Sequence, residues 1–347
     1  MLYLLIGFTG LVVAFLLWGL WRHEAKQQAV TIGWPAAPMA VAVTIVGALL
    51  YAGVGLHKDT DRWLADWSEH REFARQVVAG QPDQQLAANV PLQSLARVLQ
   101  RQLHLTPSAE GWYVLALVYS ELEAPKVAVT AARKAVELAG EELDPRLLLA
   151  RSLIEQNGGK LDAEAGEILD DVLARHPDHD GALTLLASAA MQARDYARAL
   201  PAWQALLSRH GEGEARPLLE NMVANAQRQL QSQLYYQGIE ITVLADAGVQ
   251  PGGTLFVFLR RPGDVGQPLA AVRVLADGFP MSVSVAPENW LQEMPAPGTE
   301  LLAGARYSEG ANAGIEGAIE SAERVALSGE AGQLAASVKI SAPSGSR

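Results

Sequence analysis

The sequence predicts a membrane-anchored α + β protein with two N-terminal transmembrane helices, an α-superhelix of repeats and a small C-terminal β-sandwich. Three observations lead to this fold class. Two long apolar runs occupy residues 2–21 and 36–56. Helix pairs then recur with a period of about 34 residues between positions 109 and 233. Short β-prone segments separated by proline and glycine follow from residue 239.

Each apolar run is long enough to cross a bilayer as a helix, which needs about 20 residues. The only charged residues in this region are Arg22, Glu24 and Lys26, between the runs. A cleaved signal peptide is the alternative for the first run, but no lysine or arginine precedes it. The positive-inside rule places the short loop in the cytoplasm. We therefore expect both termini and the soluble domains on the periplasmic side of a bacterial inner membrane, with membrane lipid as one partner.

Residues 58–108 are predicted to form a helical juxtamembrane linker. An amphipathic, charged helix is expected over 59–80, and a polar, glutamine-rich stretch follows it to residue 89. Residues 92–105 carry a single apolar stripe at helical spacing. Trp63 and Trp67 lie just past the second span, where aromatic rings favour the membrane surface.

The region 109–233 reads as three helix pairs and a flanking helix. The repeat places small residues where two helices cross and bulky ones between pairs, and neighbouring pairs stack because no pair buries its apolar face alone. The second pair fits the register if the turn at Gly158 and Gly159 carries about two extra residues. This pattern predicts a tetratricopeptide repeat (TPR) domain, and an unrelated helical bundle is the alternative.

The concave side of such a superhelix is lined by the first helix of each pair. A groove of this kind suits an extended or helical peptide, although each residue taken singly could equally be ordinary helix surface. In the repeat register the groove residues are Tyr113, Leu117, Ser120, Leu148, Ser152, Glu155, Thr184, Ser188 and Met191.

The remainder of the chain, 239–345, is predicted to be a β domain. Short β-prone segments lie at 239–244, 254–259, 270–274, 281–285 and 301–306. Proline and glycine clusters separate them, as expected for a small β-sandwich. The tail from residue 310 is rich in glycine, alanine and serine and shows no clear pattern.

The sequence contains no catalytic motif, and we predict no catalytic residue, no metal site and no cofactor. The net charge of -11 argues against a nucleic-acid partner. The absence of cysteine excludes disulfides and thiolate chemistry. His176 and His179 could be ligands at close range, but they lie at the end of a repeat and are better explained as turn residues. His210 has no evident partner in the sequence.

This order of segments resembles the CcmI (CycH) family of cytochrome c biogenesis TPR proteins over nearly the whole chain. The similar strings in the helical part begin at Pro91 and Ala109 and include 144–151. In the β domain, 253–260, 268–273 and 304–313 look like the paired strands of that family and are more specific than the repeats. The short loop 22–35 and the loose tail after Asn312 depart from the family pattern.

The resemblance implies a non-catalytic subunit associated with a haem lyase complex. Such proteins bind apocytochrome c in the periplasm, chiefly through the C-terminal helix of the client. They present the client to the membrane haem-ligation subunits and to a thiol-reducing subunit of the maturation complex. Haem is then attached covalently to the client. A binding subunit without cysteine cannot form a mixed disulfide with its client. The alternative is a membrane-tethered TPR scaffold of another envelope complex.

Overall fold

The computed structural model describes residues 56–81, 90–210, 212–308, 318–321 and 323–341. The chain divides into two compact units, residues 1–152 and 153–347, and each is considered by itself. Within the described part of the chain, none of the helices has the length and apolar character that crossing a bilayer requires. The predicted spans at 2–21 and 36–56 lie outside the described residues, apart from Leu56.

The first unit is built from helices. In chain order they are α1 (Leu56–Val78), α2 (Leu92–Leu105), α3 (Ala109–Glu121), α4 (Pro125–Ala139) and most of α5 (Leu143–Gln156). Helices α1 and α2 pack together, and both contact α3, which forms a pair with α4. The predicted apolar stripe of α2 is buried through Leu95, Val98, Leu99 and Leu103, whereas Leu92 at its first turn is 42% exposed.

Local sequence signals set the start and the packing of α3. The Ser108 side chain accepts a hydrogen bond from the Gly111 backbone N–H at 3.1 Å, which satisfies one of the free donors of the first turn. A Cβ at Gly111 would lie 2.6 Å from the side chain of Leu103 and 3.0 Å from that of Val78. Glycine therefore allows α3 to approach α1 and α2 closely.

The two tryptophans after the second predicted span have a partner within the first unit. The guanidinium carbon of Arg101 on α2 lies 4.4 Å from the Trp63 ring centre and 4.5 Å from that of Trp67. Cation–π contact with two rings holds α1 against α2. An ion pair of 3.1 Å between Arg97 and Asp66 joins the same two helices.

The helices of the second unit after α5 are α6 (Ala163–Arg175), α7 (Asp180–Ala193), α8 (Tyr196–His210) and α9 (Arg216–Tyr235). Helix α7 contacts α6 and pairs with α8, which packs on α9. The alanines predicted at the helix crossing are fully buried at Ala187, Ala190 and Ala199. The turn before α6 contains Gly159 at a φ of 87°, where a Cβ would also collide with the Gln192 side chain. The helical part is thus TPR-like.

Helix α9 leads directly into a β-rich region of two sheets. The strands are β1 (Ile239–Ala245), β2 (Thr254–Arg260), β3 (Ala270–Leu275), β4 (Met281–Val285), β5 (Leu302–Ser308), β6 (Ile319–Glu320), β7 (Val325–Ala326), β8 (Ser328–Glu330) and β9 (Gln333–Ile340). One sheet has the order β4-β1-β9-β8, and the other has the order β3-β2-β5-β6 with β7 also paired to β5. A short 3-10 helix, Pro287–Asn289, follows β4.

Both sheets contribute to one apolar core. Alternate residues of β1, including Ile239, Ile241 and Val243, are buried together with Leu255 and Val257 of β2. This alternation is expected for strands with one face on a core and one toward solvent. Four of the predicted segments become β1 to β4 within a residue or two, and 301–306 becomes β5.

Strand β9 was not predicted, and it forms the centre of the first sheet. It pairs in parallel with β1, with Ile241 opposite Ala336 and Val243 opposite Val338. It also pairs antiparallel with β8. The weakly patterned tail therefore supplies a central strand, and the sandwich is closed by the last part of the described chain.

Candidate functional site

The predicted groove residues fall into two sets, one in each compact unit. Tyr113, Leu117, Ser120, Leu148 and Ser152 belong to 1–152, whereas Glu155, Thr184, Ser188 and Met191 belong to 153–347. Within the first set, Tyr113, Leu117 and Ser120 follow one stripe of α3 at helical spacing, and all three are half-buried. They form a continuous, partly accessible surface along that helix.

Tyr113 is surrounded by charged groups of its own unit. Burial raises the pKa of its phenol above the ordinary value of 10.0, and the carboxylates of Asp144 and Glu110 raise it further, against the opposing effect of Arg151. A tyrosine phenol is protonated at neutral pH, and the raised pKa extends that state to higher pH. Tyr113 can therefore donate a hydrogen bond to a ligand as well as offer an aromatic face.

This environment gives a testable result for the titration of Tyr113. In the full-length chain with ¹³C-labelled tyrosine, the Tyr113 resonance, assigned by its loss in Tyr113→Phe, is expected to titrate above pH 10. Asp144→Asn is expected to return the pKa only part of the way, because burial is the larger cause. Titration of Tyr113 at or below pH 10 would contradict the described environment.

Leu148 and Ser152 of α5 are more deeply placed than the groove prediction assumes. Leu148 is 5% exposed and Ser152 is fully buried. Within the described part of the chain, the hydroxyls of Ser152 and Ser120 have no hydrogen-bond partner. In this structure both α5 residues are packed inside, and their contact with a ligand stays a prediction.

The set in the second unit is more accessible. Glu155 is half-buried near the end of α5. Thr184, Ser188 and Met191 lie on one stripe of α7, where Thr184 is exposed and the other two are half-buried. Small hydroxyl side chains followed by a flexible thioether leave room for the surface of a docked helix.

Met191 also borders a cleft that the sequence did not indicate, which we call the α9 cleft. It has a volume of about 470 Å³ and lies between the end of α7, the start of α8, one face of α9 and the loop after β4. Its lining residues are Met191, Ala193, Arg194, Tyr196, Asn225, Gln229, Gln233, Pro287, Glu288, Glu293 and Met294.

Specific contacts join the helices to the sandwich around this cleft. The guanidinium of Arg194 donates to the backbone carbonyl of Trp290 at 3.3 Å. The side-chain amide of Gln229 on α9 donates to the carboxylate of Glu293. Burial raises the pKa of Tyr196, as does Glu293, while Arg194 lowers it. The walls of the cleft are thus fixed by polar contacts rather than by loose loops.

Three of the histidines discussed above have structural roles. The Nδ1 atom of His179 accepts a hydrogen bond from the Ala182 backbone N–H at 3.0 Å and caps α7, and His176 ends α6. Both therefore lie in the turn, as predicted. His210 is paired, contrary to the sequence interpretation, because its Nε2 lies 2.8 Å from the carboxylate of Asp180. The structure describes no cluster of histidine and acidic residues that could hold a metal ion in the regions it covers.

Known proteins are similar to a large part of this chain. A family model described as the TPR domain of cytochrome c-type biogenesis protein H matches residues 59–217. The cytochrome c-type biogenesis protein CycH of Pseudomonas aeruginosa is 28% identical over 71% of this chain and 62% of its own length. The chain therefore spans less than two thirds of that relative.

Two further similarities are more limited. The formate-dependent nitrite reductase complex subunit NrfG of Escherichia coli O157:H7 is 26% identical over 50% of this chain and 85% of its own length. The crystal structure of MamA protein has a TM-score of 0.36 and 14% identity, covering 46% of this chain and 87% of that one. The family match and the CycH alignment together support the assignment of this chain to the CcmI (CycH) family of cytochrome c biogenesis TPR proteins.

Proposed function

We propose that this chain is the apocytochrome c-binding subunit of the cytochrome c maturation machinery, and that it presents the apoprotein in the periplasm for covalent haem attachment. One observation carries the proposal. The segment 59–217 that matches the family TPR domain contains all of the predicted groove residues, from Tyr113 to Met191. The groove and the family assignment therefore concern the same part of the chain.

The chemistry of the accessible groove residues suits a helical client segment. On α3, Tyr113 offers an aromatic face and a phenolic donor, and Leu117 offers apolar surface. On α7, the small side chains of Thr184 and Ser188 leave space beside Met191. An amphipathic helix, such as the C-terminal helix of an apocytochrome c, would place apolar side chains at intervals of three and four against these surfaces.

The remaining parts of the proposal concern location and partners. Two spans at 2–21 and 36–56 would hold the protein in the bacterial inner membrane, with both termini and the soluble domains in the periplasm. The partners would be the membrane haem-ligation subunits and the thiol-reducing subunit of the maturation complex. The role is non-catalytic, and the chain would need no cofactor of its own.

The NrfG relative favours a second candidate function. That protein is a subunit of a formate-dependent nitrite reductase complex. By analogy, this chain would be a membrane-tethered TPR scaffold of another envelope complex. The two candidates differ in their effect on cytochromes that carry covalent haem.

A deletion strain distinguishes the two functions. If the proposal holds, loss of the gene is expected to reduce haem-stained c-type cytochromes at least tenfold, because unheld apoprotein is degraded before haem is attached. The full-length gene restores them, and b-type haem, measured spectroscopically in the same membranes, stays unchanged as the control. Normal c-type cytochrome content would overturn the proposal and favour the scaffold.

A further inference from the structure

A ladder of side-chain amides lines one wall of the α9 cleft. Asn225, Gln229 and Gln233 lie four residues apart on α9, so their side chains share one face of the helix. Gln229 is engaged with Glu293. Asn225 and Gln233 are half-buried, and their amides form no hydrogen bond with any residue that the structure describes. Each therefore offers an unused donor and an unused acceptor.

The spacing of this ladder matches that of an extended polypeptide. Residues four apart on a helix are separated by about 6 Å along its axis. Alternate residues of an extended strand are separated by about 6.6 Å, and they present their backbone groups in the same direction. Over the two steps from Asn225 to Gln233 the difference is about 1 Å, which flexible side chains can absorb. A helical ligand uses its backbone donors and acceptors in its own hydrogen bonds between residues i and i−4, so it could not use the ladder in this way.

One of the other walls of the cleft is acidic, and another is apolar. The loop after β4 provides the carboxylates of Glu288 and Glu293, both exposed. Arg194, which also lines the cleft, donates to the Trp290 backbone carbonyl. The end of α7 provides Met191, whose flexible thioether adapts to apolar side chains of different shapes. Because successive side chains of a strand point to opposite sides, one set would face the carboxylates and the other would face Met191.

We propose that the α9 cleft binds an extended polypeptide segment with alternating basic and apolar side chains. Asn225 and Gln233 hydrogen-bond its backbone, Glu288 and Glu293 receive a lysine, and Met191 contacts the apolar side chain between. This site goes beyond the proposed function, which concerns a helical segment in the groove. It rests on that function only in taking an unfolded client as the natural ligand.

The test uses the full-length chain in non-ionic detergent and a fluorescein-labelled probe of four Lys-Val repeats, capped at both ends. Fluorescence anisotropy is expected to give a Kd about fivefold higher for Asn225→Leu and for Gln233→Leu, and at least tenfold higher for the double variant. Glu288→Gln is expected to raise the Kd about threefold and to weaken its dependence on salt. Unaltered thermal unfolding by circular dichroism establishes that each variant is folded.

The matched control is Gln227→Leu with Gln231→Leu. Both glutamines are exposed on the same helix and lie outside the cleft, so this variant is expected to bind the probe as the wild type does. A Lys-Val probe with N-methyl groups at alternate backbone positions is expected to lose binding, because it lacks the donors that the ladder reads. The proposal would be overturned if the Asn225→Leu/Gln233→Leu variant bound the Lys-Val probe as tightly as the wild type does. It would also be overturned if the wild type bound a Glu-Val probe as tightly as the Lys-Val probe.

The outcome is separable from that of the proposed function. Substitutions of Thr184 and Ser188 in the groove leave the cleft walls intact, so Lys-Val binding is expected to persist in such variants. If Lys-Val binds through the ladder while the deletion strain keeps normal c-type cytochromes, only the proposed function fails. If the strain loses its cytochromes while the ladder variants bind Lys-Val normally, only this inference fails.

Discussion

Replacement of Trp290 by alanine is expected to lower the free energy of unfolding of the β-sandwich by about 3–5 kcal/mol. Trp290 is 2% exposed and belongs to the core shared by the two sheets. Its ring centre lies 5.3 Å from that of Tyr236, the residue that directly follows α9. Its backbone also pairs with Ala270 of β3. Truncation leaves a large cavity at the point where the helix enters the sandwich.

Trp290→Phe separates the loss of volume from the loss of the indole N–H. Among the described residues that N–H has no hydrogen-bond partner, so removing it leaves no acceptor unsatisfied. The phenylalanine variant is therefore expected to lose less than half as much stability as the alanine variant. Leu291→Ala is the control, since Leu291 is 49% exposed and its truncation costs about 0.5 kcal/mol or less.

Hydrogen exchange measures these differences locally, which suits a chain of two compact units. Strands β1 and β9 pair with each other in the first sheet. The exchange rates of peptides from these two strands therefore measure opening of the sandwich. Faster exchange of both strands is expected in Trp290→Ala, with little change in α3 and α4. Wild-type exchange rates in the alanine variant would show that Trp290 does not support the core.

The helices were predictable because their signals are local. The stripe of α2, the Ser108 cap of α3 and the Asp162 cap of α6 each lie within a few residues of the feature that they specify. The buried alanines at the crossing of α7 and α8 follow from the repeat register in the same way. Strands β1 to β4 were found from short β-prone runs between turn residues.

Strand β9 was not predicted from the sequence because its stability comes from pairing with distant residues. Its parallel partner, β1, lies almost a hundred positions earlier, and the segment follows a long stretch rich in glycine, alanine and serine. One local signal was present. Leu334, Ala336, Val338 and Ile340 alternate with exposed residues, which is the period of a half-buried strand.

In the candidate sites, too, features set by local sequence signals were predicted and features set by distant contacts were not. Repeat register places Thr184, Ser188 and Met191 on one stripe, as the structure does. Register cannot say how deeply a stripe is covered, and so Leu148 and Ser152 were expected at the surface and are buried. The α9 cleft combines three segments that lie far apart in sequence. Of its lining residues, only Met191 was among the predicted groove residues. The amides at 225, 229 and 233 were a local signal for its α9 wall.

Introducing two arginines into the groove, Thr184→Arg with Ser188→Arg, is expected to weaken binding of a client C-terminal peptide at least tenfold. Thr184 is exposed and Ser188 half-buried on one stripe of α7, so both new side chains project from the predicted docking surface. Docking an apolar helix face would bury the charges without partners, which costs several kcal/mol. A basic helix face would be repelled directly.

The matched control adds the same charge elsewhere in the same helix pair. Gln204 and Ser208 are exposed on α8, outside the predicted groove, and Gln204→Arg with Ser208→Arg is expected to bind the peptide as the wild type does. Anisotropy of a labelled peptide from the C-terminal helix of a c-type cytochrome of the same organism, against its scrambled version, measures both. In the deletion strain, the groove variant is expected to leave haem-stained cytochromes low and the control to restore them. Full restoration by both variants would show that the α7 stripe does not hold the client, since one surface cannot tolerate two buried arginines and still bind.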